Sequence, residues 1–174
     1  MKKQLFVLCG APGSGKSTWA REHILAMPAP AAYVSRDEIR FSLVSEEEEY
    51  FSKEKEVFRN FISSIKNNLQ QYNIVIADAT HLNEASRTKL LRALGQSLQG
   101  VEVNAIVLKV SLNVALEQNE KRAGTRSYVP EAAVRRMFKQ FTMPSFEEGF
   151  NKIYIYSHIR DTIDTVKCTI LEKE

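Results

Sequence analysis

Nine residues near the start of the chain have the types and spacing needed to bind phosphate. They read Gly10-Ala11-Pro12-Gly13-Ser14-Gly15-Lys16-Ser17-Thr18 and match the pattern G-x-x-x-x-G-K-[ST] at every fixed position. Glycines let the backbone curl so that successive N–H groups point at phosphate oxygens, and a following helix adds its positive N-terminus. We therefore expect all nine residues to bind ATP, with Lys16 acting on the β- and γ-phosphates and Ser17 holding Mg²⁺.

A second group of polar residues follows a short apolar run, in the sequence Ser35-Arg36-Asp37-Glu38-Ile39-Arg40. Asp37 could accept the proton of an attacking hydroxyl as a general base, or it could cap the helix that follows; position alone leaves both interpretations open. Arg40 lies one turn later, where its guanidinium could bind a phosphate or carboxylate of the acceptor, or simply lie at the surface.

Asp78 ends a third apolar run and is followed by Ala79-Thr80-His81-Leu82-Asn83. An acid at this position could support Mg²⁺ or its waters, contact the acceptor, or merely cap a helix. We assign it to the site as a substrate-binding residue. We expect His81 to be neutral and satisfied by a backbone carbonyl, without a catalytic role.

Two arginines, Arg122 and Arg126, flank Gly124 in a segment that we interpret as a lid over residues 118–130. Phosphoryl transfer spreads negative charge over the equatorial oxygens, which an arginine brought in by lid closure neutralises. Both arginines are therefore candidate catalytic residues. The alternative is a basic, solvated loop.

The elements that must position these residues alternate between apolar runs and helical periodicity, which is typical of an α/β fold. Five strands are predicted, around residues 5–9, 32–35, 74–77, 103–110 and 153–156, with a possible edge strand within 162–171. The acidic run at 46–49 is interpreted as the exposed start of a helix. We predict a doubly wound parallel sheet, whose ligands gather at the carboxyl ends of the strands.

The composition is that of an ordinary globular domain. The chain has 174 residues, 44% of them hydrophobic and 26% charged, with a net charge of +3. We expect one domain over residues 1–174. No membrane span is expected, because no apolar run approaches about 20 residues. The expected location is the cytoplasm, because Cys9 and Cys168 make no disulfide framework and the chain is expected to use ATP. The small charge is not by itself an argument for nucleic acid.

Four segments, residues 10–22, 35–40, 78–83 and 119–130, resemble in order the kinase domain of phage-type polynucleotide 5′-hydroxyl kinases. The resemblance extends over about residues 1–142. It implies a P-loop kinase that uses ATP to phosphorylate a 5′-hydroxyl end of RNA or DNA. By the same analogy Asp37 is the base, Arg40 holds an acceptor phosphate and Asp78 contacts the acceptor region.

Two other functions fit the same residues. The first is a P-loop kinase of a small alcohol, such as a sugar, an antibiotic or a nucleotide-like acceptor, since such enzymes share the loop and a base after the second strand. The second is a regulatory ATPase without an acceptor. The cluster of Asp37, Arg40 and Asp78 argues against the ATPase, because a switch does not need it.

Overall fold

A six-stranded sheet forms the centre of the protein, whose computed structural model describes residues 2–24, 26–27, 30–158 and 166–173. The strands are β1 (Lys3–Cys9), β2 (Ala31–Ser35), β3 (Ile74–Asp78), β4 (Val101–Lys109), β5 (Lys152–His158) and β6 (Val166–Glu172). Their order is β2-β3-β1-β4-β5-β6, with the first five parallel and β6 antiparallel to β5. The predicted doubly wound parallel sheet is confirmed, and the tail adds an edge strand.

Six helices connect or flank these strands: α1 (Lys16–Ile24), α2 (Arg36–Leu43), α3 (Glu54–Gln71), α4 (Glu84–Leu94), α5 (Leu112–Glu120) and α6 (Glu131–Gln140). Short 3₁₀ turns follow at Gly95–Leu98 and Phe146–Glu148. Among the helices within the described ranges, none combines the length and the apolar character needed to cross a membrane.

Side chains alternate across the sheet and build a core on each face. On one face Leu5, Val7 and Val75 pack with Phe61 of α3 and Leu90 of α4. On the other face Phe6, Leu8 and Ile76 pack with Trp19 and Ala20 of α1. The central strands are apolar on both faces because helices cover both. Trp19 therefore belongs to the core.

The acidic run at 46–49 does not begin a helix. Residues 45–53 form exposed turns, and α3 begins only at Glu54. The run does lie in solvent as expected, but the helical interpretation was wrong because the apolar repeat of four residues first appears at Val57. The turns place Tyr50 beside Asp37 in the first turn of α2.

Candidate active site

The phosphate-binding pattern forms the connection from β1 to α1, as its residue order predicts. Gly13 and Gly15 have φ values of 80° and 90°, a region that favours glycine. A Cβ atom on Gly13 would lie 2.1 Å from the carbonyl oxygen of Ala115 in α5, so a side chain does not fit there. The loop is therefore shaped by close backbone packing against α5.

Lys16 lies inside this loop and is only 8% exposed. Its Nζ donates hydrogen bonds to the carbonyl oxygens of Gly10 and Ala11, both at 2.9 Å. Burial lowers the pKa of Lys16, whereas the charges of Asp78 and Asp37 act in the opposite direction. The ammonium group is thus held at the centre of the loop, close enough to both carboxylates to respond to their charges.

Ser17 and Asp78 meet at the carboxyl edge of the sheet. The Ser17 hydroxyl donates to Oδ2 of Asp78 at 2.6 Å, and the Tyr33 hydroxyl donates to the same oxygen at 2.6 Å. Burial and the neighbouring Asp78 raise the pKa of Tyr33, so its hydroxyl keeps the proton that it donates. Asp78 is 5% exposed and is held in one orientation.

This pair of oxygen ligands suits Mg²⁺, which prefers hydroxyl, carboxylate and phosphate oxygens and usually keeps several waters. Because the Ser17 hydroxyl donates its hydrogen bond to Asp78, the lone pairs of its oxygen remain for a cation. Within the described ranges there is no cluster of three or more His, Cys, Asp or Glu side chains suited to a metal. A magnesium ion would therefore need phosphate oxygens and water to complete its coordination.

Asp37 lies in the first turn of α2 but does not cap it. The cap is Ser35, whose hydroxyl accepts from the backbone N–H of Glu38, so the interpretation of Asp37 as the N-cap was wrong. The Asp37 side chain is 60% exposed. Its Oδ1 accepts from Nη1 of Arg40 at 2.6 Å and from the Tyr50 hydroxyl at 3.1 Å. Asp37 is therefore oriented by two donors and still open to solvent.

Arg40 is almost fully buried, at 5% exposure. Besides Asp37, its guanidinium donates through Nη2 to Oε2 of Glu54 at 2.7 Å. Its central carbon also lies 4.6 Å from the ring centroid of Tyr50. Both Nη groups of Arg40 thus engage carboxylates of α2 and α3, and the side chain acts as a bridge between these helices.

The two arginines of the segment 118–130 lie in different surroundings. Arg122 lines a cavity that includes the loop residues Gly13 and Ser14, and its charge also acts on Lys16. Arg126 instead donates to the carbonyl oxygens of Phe41 at 3.2 Å and Val44 at 2.5 Å, at the end of α2. The structure therefore brings Arg122, and not Arg126, to the phosphate side of the site.

The cavity beside the loop has a volume of about 440 Å³. Trp19 and His23 of α1 lie on its wall, stacked at 4.2 Å with 16° between their planes, and Tyr156 of β5 meets both rings edge-on. Pockets of about 300–1,000 Å³ hold small ligands. Gly13, Ser14 and Gly15 of the phosphate loop also line this cavity. The nucleoside of a triphosphate bound to the loop would therefore lie in it.

His81 supports the loop and does not face the cavity. Its Nδ1 donates to the carbonyl oxygen of Leu8 at 2.7 Å, which confirms the prediction of a backbone carbonyl partner. Next to it, the N–H of Gly10 donates to the carbonyl oxygen of Thr80 at 3.0 Å. These bonds join the ends of β1 and β3, so that the phosphate loop and Asp78 keep a fixed separation.

Sequence reasoning missed three residues of the site: Tyr33, Tyr50 and Glu54. Tyr33 stands in β2 among small and apolar residues, where its hydroxyl gives no pattern. Tyr50 and Glu54 follow an irregular turn, so no periodicity indicates which way they face. A signal was available only for Glu54, because acidic side chains favour the first turn of a helix.

Comparisons with known proteins agree with this geometry. The sequence profile of a family described as "AAA domain" matches residues 5–144. A protein of Acanthamoeba polyphaga mimivirus named "putative bifunctional polynucleotide phosphatase/kinase" is 28% identical over 156 residues, which are 87% of this chain and 32% of that protein. The chain thus spans about a third of the length of this curated relative.

Solved structures that share the fold include the following two. A chain of the Pnkp1/Rnl/Hen1 RNA repair complex is 26% identical with a TM-score of 0.61, covering 80% of this chain and 44% of the other. Kti12 of Chaetomium thermophilum, in complex with ADP-AlF3, is 20% identical with a TM-score of 0.62 and 88% coverage of both chains. Since the family profile covers most of the sequence, the chain belongs to the AAA domain family and has the fold of a P-loop kinase.

Proposed function

We propose that this chain transfers the γ-phosphate of ATP to the 5′-hydroxyl end of RNA or DNA, with Asp37 as the general base. The observation that carries the proposal is the exposed Asp37 carboxylate, which Arg40 and Tyr50 orient beside the loop that holds Lys16. The mimivirus relative and the RNA repair complex support a nucleic-acid acceptor by their names. The residues of the loop, 10–18, are the proposed ATP ligands.

The reaction needs one proton transfer and one shift of charge. The acceptor oxygen forms a bond to the γ-phosphorus while its proton passes to an oxygen of Asp37, and the bond from the γ-phosphorus to the β,γ-bridging oxygen breaks. Lys16 leaves its loop carbonyls for the β- and γ-phosphates and neutralises the charge that develops there. Ser17, hydrogen-bonded to Asp78, would hold Mg²⁺, and the ion would add to the neutralisation of the phosphate oxygens.

The lid arginines have separate roles in this proposal. Arg122 lies on the wall of the cavity beside the loop, so a small movement of residues 118–130 brings its guanidinium to the transferring phosphate. Arg126 would first have to leave the carbonyl oxygens of Phe41 and Val44. We therefore propose Arg122 as the principal lid residue and Arg126 as a second one that acts only after release from α2.

A kinase of a small alcohol is the second candidate, and one observation favours it. The exposed residues Glu46, Glu47, Glu48 and Glu49 lie on the acceptor side of the site, and Lys53 pairs with only Glu48 among them. Four acids disfavour a long polyanion at this edge. A nucleic-acid acceptor must therefore present its end here and run away from the acidic turns.

The two candidates are separated by supplying labelled ATP with a set of alternative acceptors. The set contains 5′-hydroxyl oligonucleotides of RNA and DNA, nucleosides, sugars and aminoglycosides, and Lys16→Ala serves as the inactive control. We expect label on the oligonucleotides in the parent reaction only. Label on a sugar or antibiotic alone would make the chain a small-molecule kinase. ATP hydrolysis without any labelled acceptor would make it a regulatory ATPase. The proposed location is the cytoplasm, where ATP is available.

A further inference from the structure

Three aromatic side chains cluster beside the proposed general base, two of them exposed and one, Phe41, partly buried. Phe41 comes from α2, and Tyr50 and Phe51 come from the turns before α3; we call these three residues the aromatic shelf. Tyr50 meets Phe51 edge-on at 4.8 Å between ring centroids, and Phe41 meets Tyr50 at 6.4 Å. Phe51 is 55% exposed and Tyr50 37%. The shelf lies outside the two core clusters of the sheet.

Cationic side chains hold this shelf in place. The guanidinium of Arg40 lies 4.6 Å from the ring centroid of Tyr50 and 5.6 Å from that of Phe51. The guanidinium of Arg126 lies 4.6 Å from the ring of Phe41. Contacts of this kind stabilise an aromatic ring at the surface without burying it. The rings are therefore positioned and yet available to a ligand.

The shelf is also joined directly to the reacting centre. The Tyr50 hydroxyl donates to Asp37 at 3.1 Å, and burial together with the charge of Asp37 raises the pKa of Tyr50 to about 12, so the hydroxyl stays protonated. Tyr50 lines a groove of about 410 Å³ between the turn Gly124–Arg126 and residues 44–48. A group lying in this groove contacts the ring of Tyr50, whose hydroxyl is hydrogen-bonded to Asp37.

The charges of the groove decide which part of an acceptor it takes. Glu46 and Glu48 line its wall and repel phosphate. The ring of Tyr50 also lines the groove, with Phe51 packed edge-on against it, and aromatic rings suit an uncharged planar group. Every nucleobase has such a face, and bases stack on aromatic side chains irrespective of sequence. The groove therefore fits the base of an acceptor better than its sugar–phosphate backbone.

We propose that the aromatic shelf stacks the nucleobase of the 5′-terminal nucleoside and so places its 5′-hydroxyl at Asp37. This inference rests on the proposed function and adds to it the part of the acceptor that is recognised. It explains how an end can be bound beside an acidic turn: contact is made through the base, while the rest of the strand leads away from Glu46 and Glu48.

The test compares two acceptors on four proteins. One acceptor is a short oligonucleotide with a normal 5′-terminal nucleoside, and the other carries an abasic 5′-terminal sugar with the same 5′-hydroxyl. The proteins are the parent, Phe51→Ala, Phe51→Trp and the control Leu171→Ala. The control removes a side chain of 41% exposure from the distant strand β6. The measured quantities are KM and kcat for each acceptor, with a melting curve for each protein.

We expect the parent to show a KM about 5 to 100 times lower for the normal end than for the abasic end, the range that base–aromatic stacking supplies. Phe51→Ala should lose most of that preference with little change on the abasic end, Phe51→Trp should retain it, and Leu171→Ala should match the parent. Raising the salt concentration should leave the preference in place, since stacking is not a charge interaction.

Three results would overturn the proposal. Equal KM values of the parent for normal and abasic ends would refute it while leaving the proposed function intact. A preference that survives in Phe51→Ala would likewise assign base recognition to another surface. Absence of transfer from the parent to either oligonucleotide would refute the proposed function, and the stacking proposal with it.

Discussion

The carboxylate of Asp37 depends on two neighbours, Arg40 and Tyr50, that fix its direction without burying it. A general base must be oriented towards the proton that it accepts, and a surface aspartate without partners would sample several rotamers. Arg40 serves this purpose because Glu54 holds its other Nη group. At the scale of single residues, the site is a chain of contacts from α3 through Arg40 to the base.

The variant Arg40→Ala tests this chain of contacts. We expect it to lower kcat at saturating acceptor, because Asp37 loses the donor at 2.6 Å, and to leave KM for ATP nearly unchanged. Arg40→Lys should recover only part of the lost kcat, since one ammonium group cannot replace a planar guanidinium that donates to two carboxylates.

The comparison of a nucleoside 3′-monophosphate with its nucleoside separates the two proposed roles of Arg40. A loss of equal size on both acceptors identifies Arg40 as a positioning residue for Asp37. A rise in KM confined to the 3′-monophosphate identifies a direct contact with the acceptor phosphate. Parent-like kinetics of Arg40→Ala on both acceptors would contradict both roles.

The sequence predicted the loop between β1 and α1 and the polar residues after β2 and β3. Such predictions are possible because buried parallel strands and phosphate loops have local sequence patterns. Asp37 and Asp78 follow their strands at the carboxyl edge as expected, where Ser35 and Asp78 are register partners. Contacts between side chains that lie far apart in the sequence could not be predicted. Glu54 reaches Arg40 across irregular turns, and Arg126 packs on α2 from a segment more than 80 residues away.

Among the elements, the connection from β3 to α4 carries a titratable side chain, His81, to which we assign no catalytic role. Burial, against the hydrogen bond to Leu8 and with the charges of Arg36, Lys16 and Arg87, lowers the pKa of His81 from 6.5 to about 4. His81 also has a positive φ of 41°, which among other residues asparagine tolerates well. His81→Asn is therefore a suitable variant without a titrating side chain.

The direction in which pH changes the stability follows from proton binding to His81. Between pH 6.5 and about 4 the unfolded state binds a proton at this residue that the folded state does not bind, so the stabilisation is complete above pH 6.5 and is lost as the pH falls through this window. We expect the free energy of unfolding of the parent to decrease by about 3 kcal/mol more than that of His81→Asn over this range. Urea titrations at several pH values measure both, and parallel curves would refute the assignment.

At the scale of the whole molecule, a buried ion pair joins α4 to the chain that follows α6. The side chains of Arg87 and Glu148 are 0% and 3% exposed, with Nε to Oε2 at 2.6 Å and Nη2 to Oε1 at 2.9 Å. Arg87 also donates to the carbonyl oxygens of His81 and Thr142. This one guanidinium therefore links the connection after β3, α4 and the segment leading to β5.

Removal of one member of this pair should be costly, because it leaves a buried charge without its partner. We expect Glu148→Ala to lower the free energy of unfolding by about 3–5 kcal/mol. The control Glu131→Ala removes an exposed carboxylate from its pair with Arg135 and should cost about 0.5 kcal/mol or less. Equal costs in urea denaturation would show that burial does not strengthen the dependence on the pair.

The most direct test of the account is single-turnover transfer from labelled ATP to a 5′-hydroxyl oligonucleotide by the parent, Asp37→Asn and Glu38→Gln. The control changes the adjacent exposed carboxylate, which lies outside the proposed site. We predict transfer by the parent and by Glu38→Gln, with a rate for Asp37→Asn that is about 10²–10⁴-fold lower at unchanged ATP affinity. No transfer by the parent, or a parent-like rate for Asp37→Asn, would contradict the account.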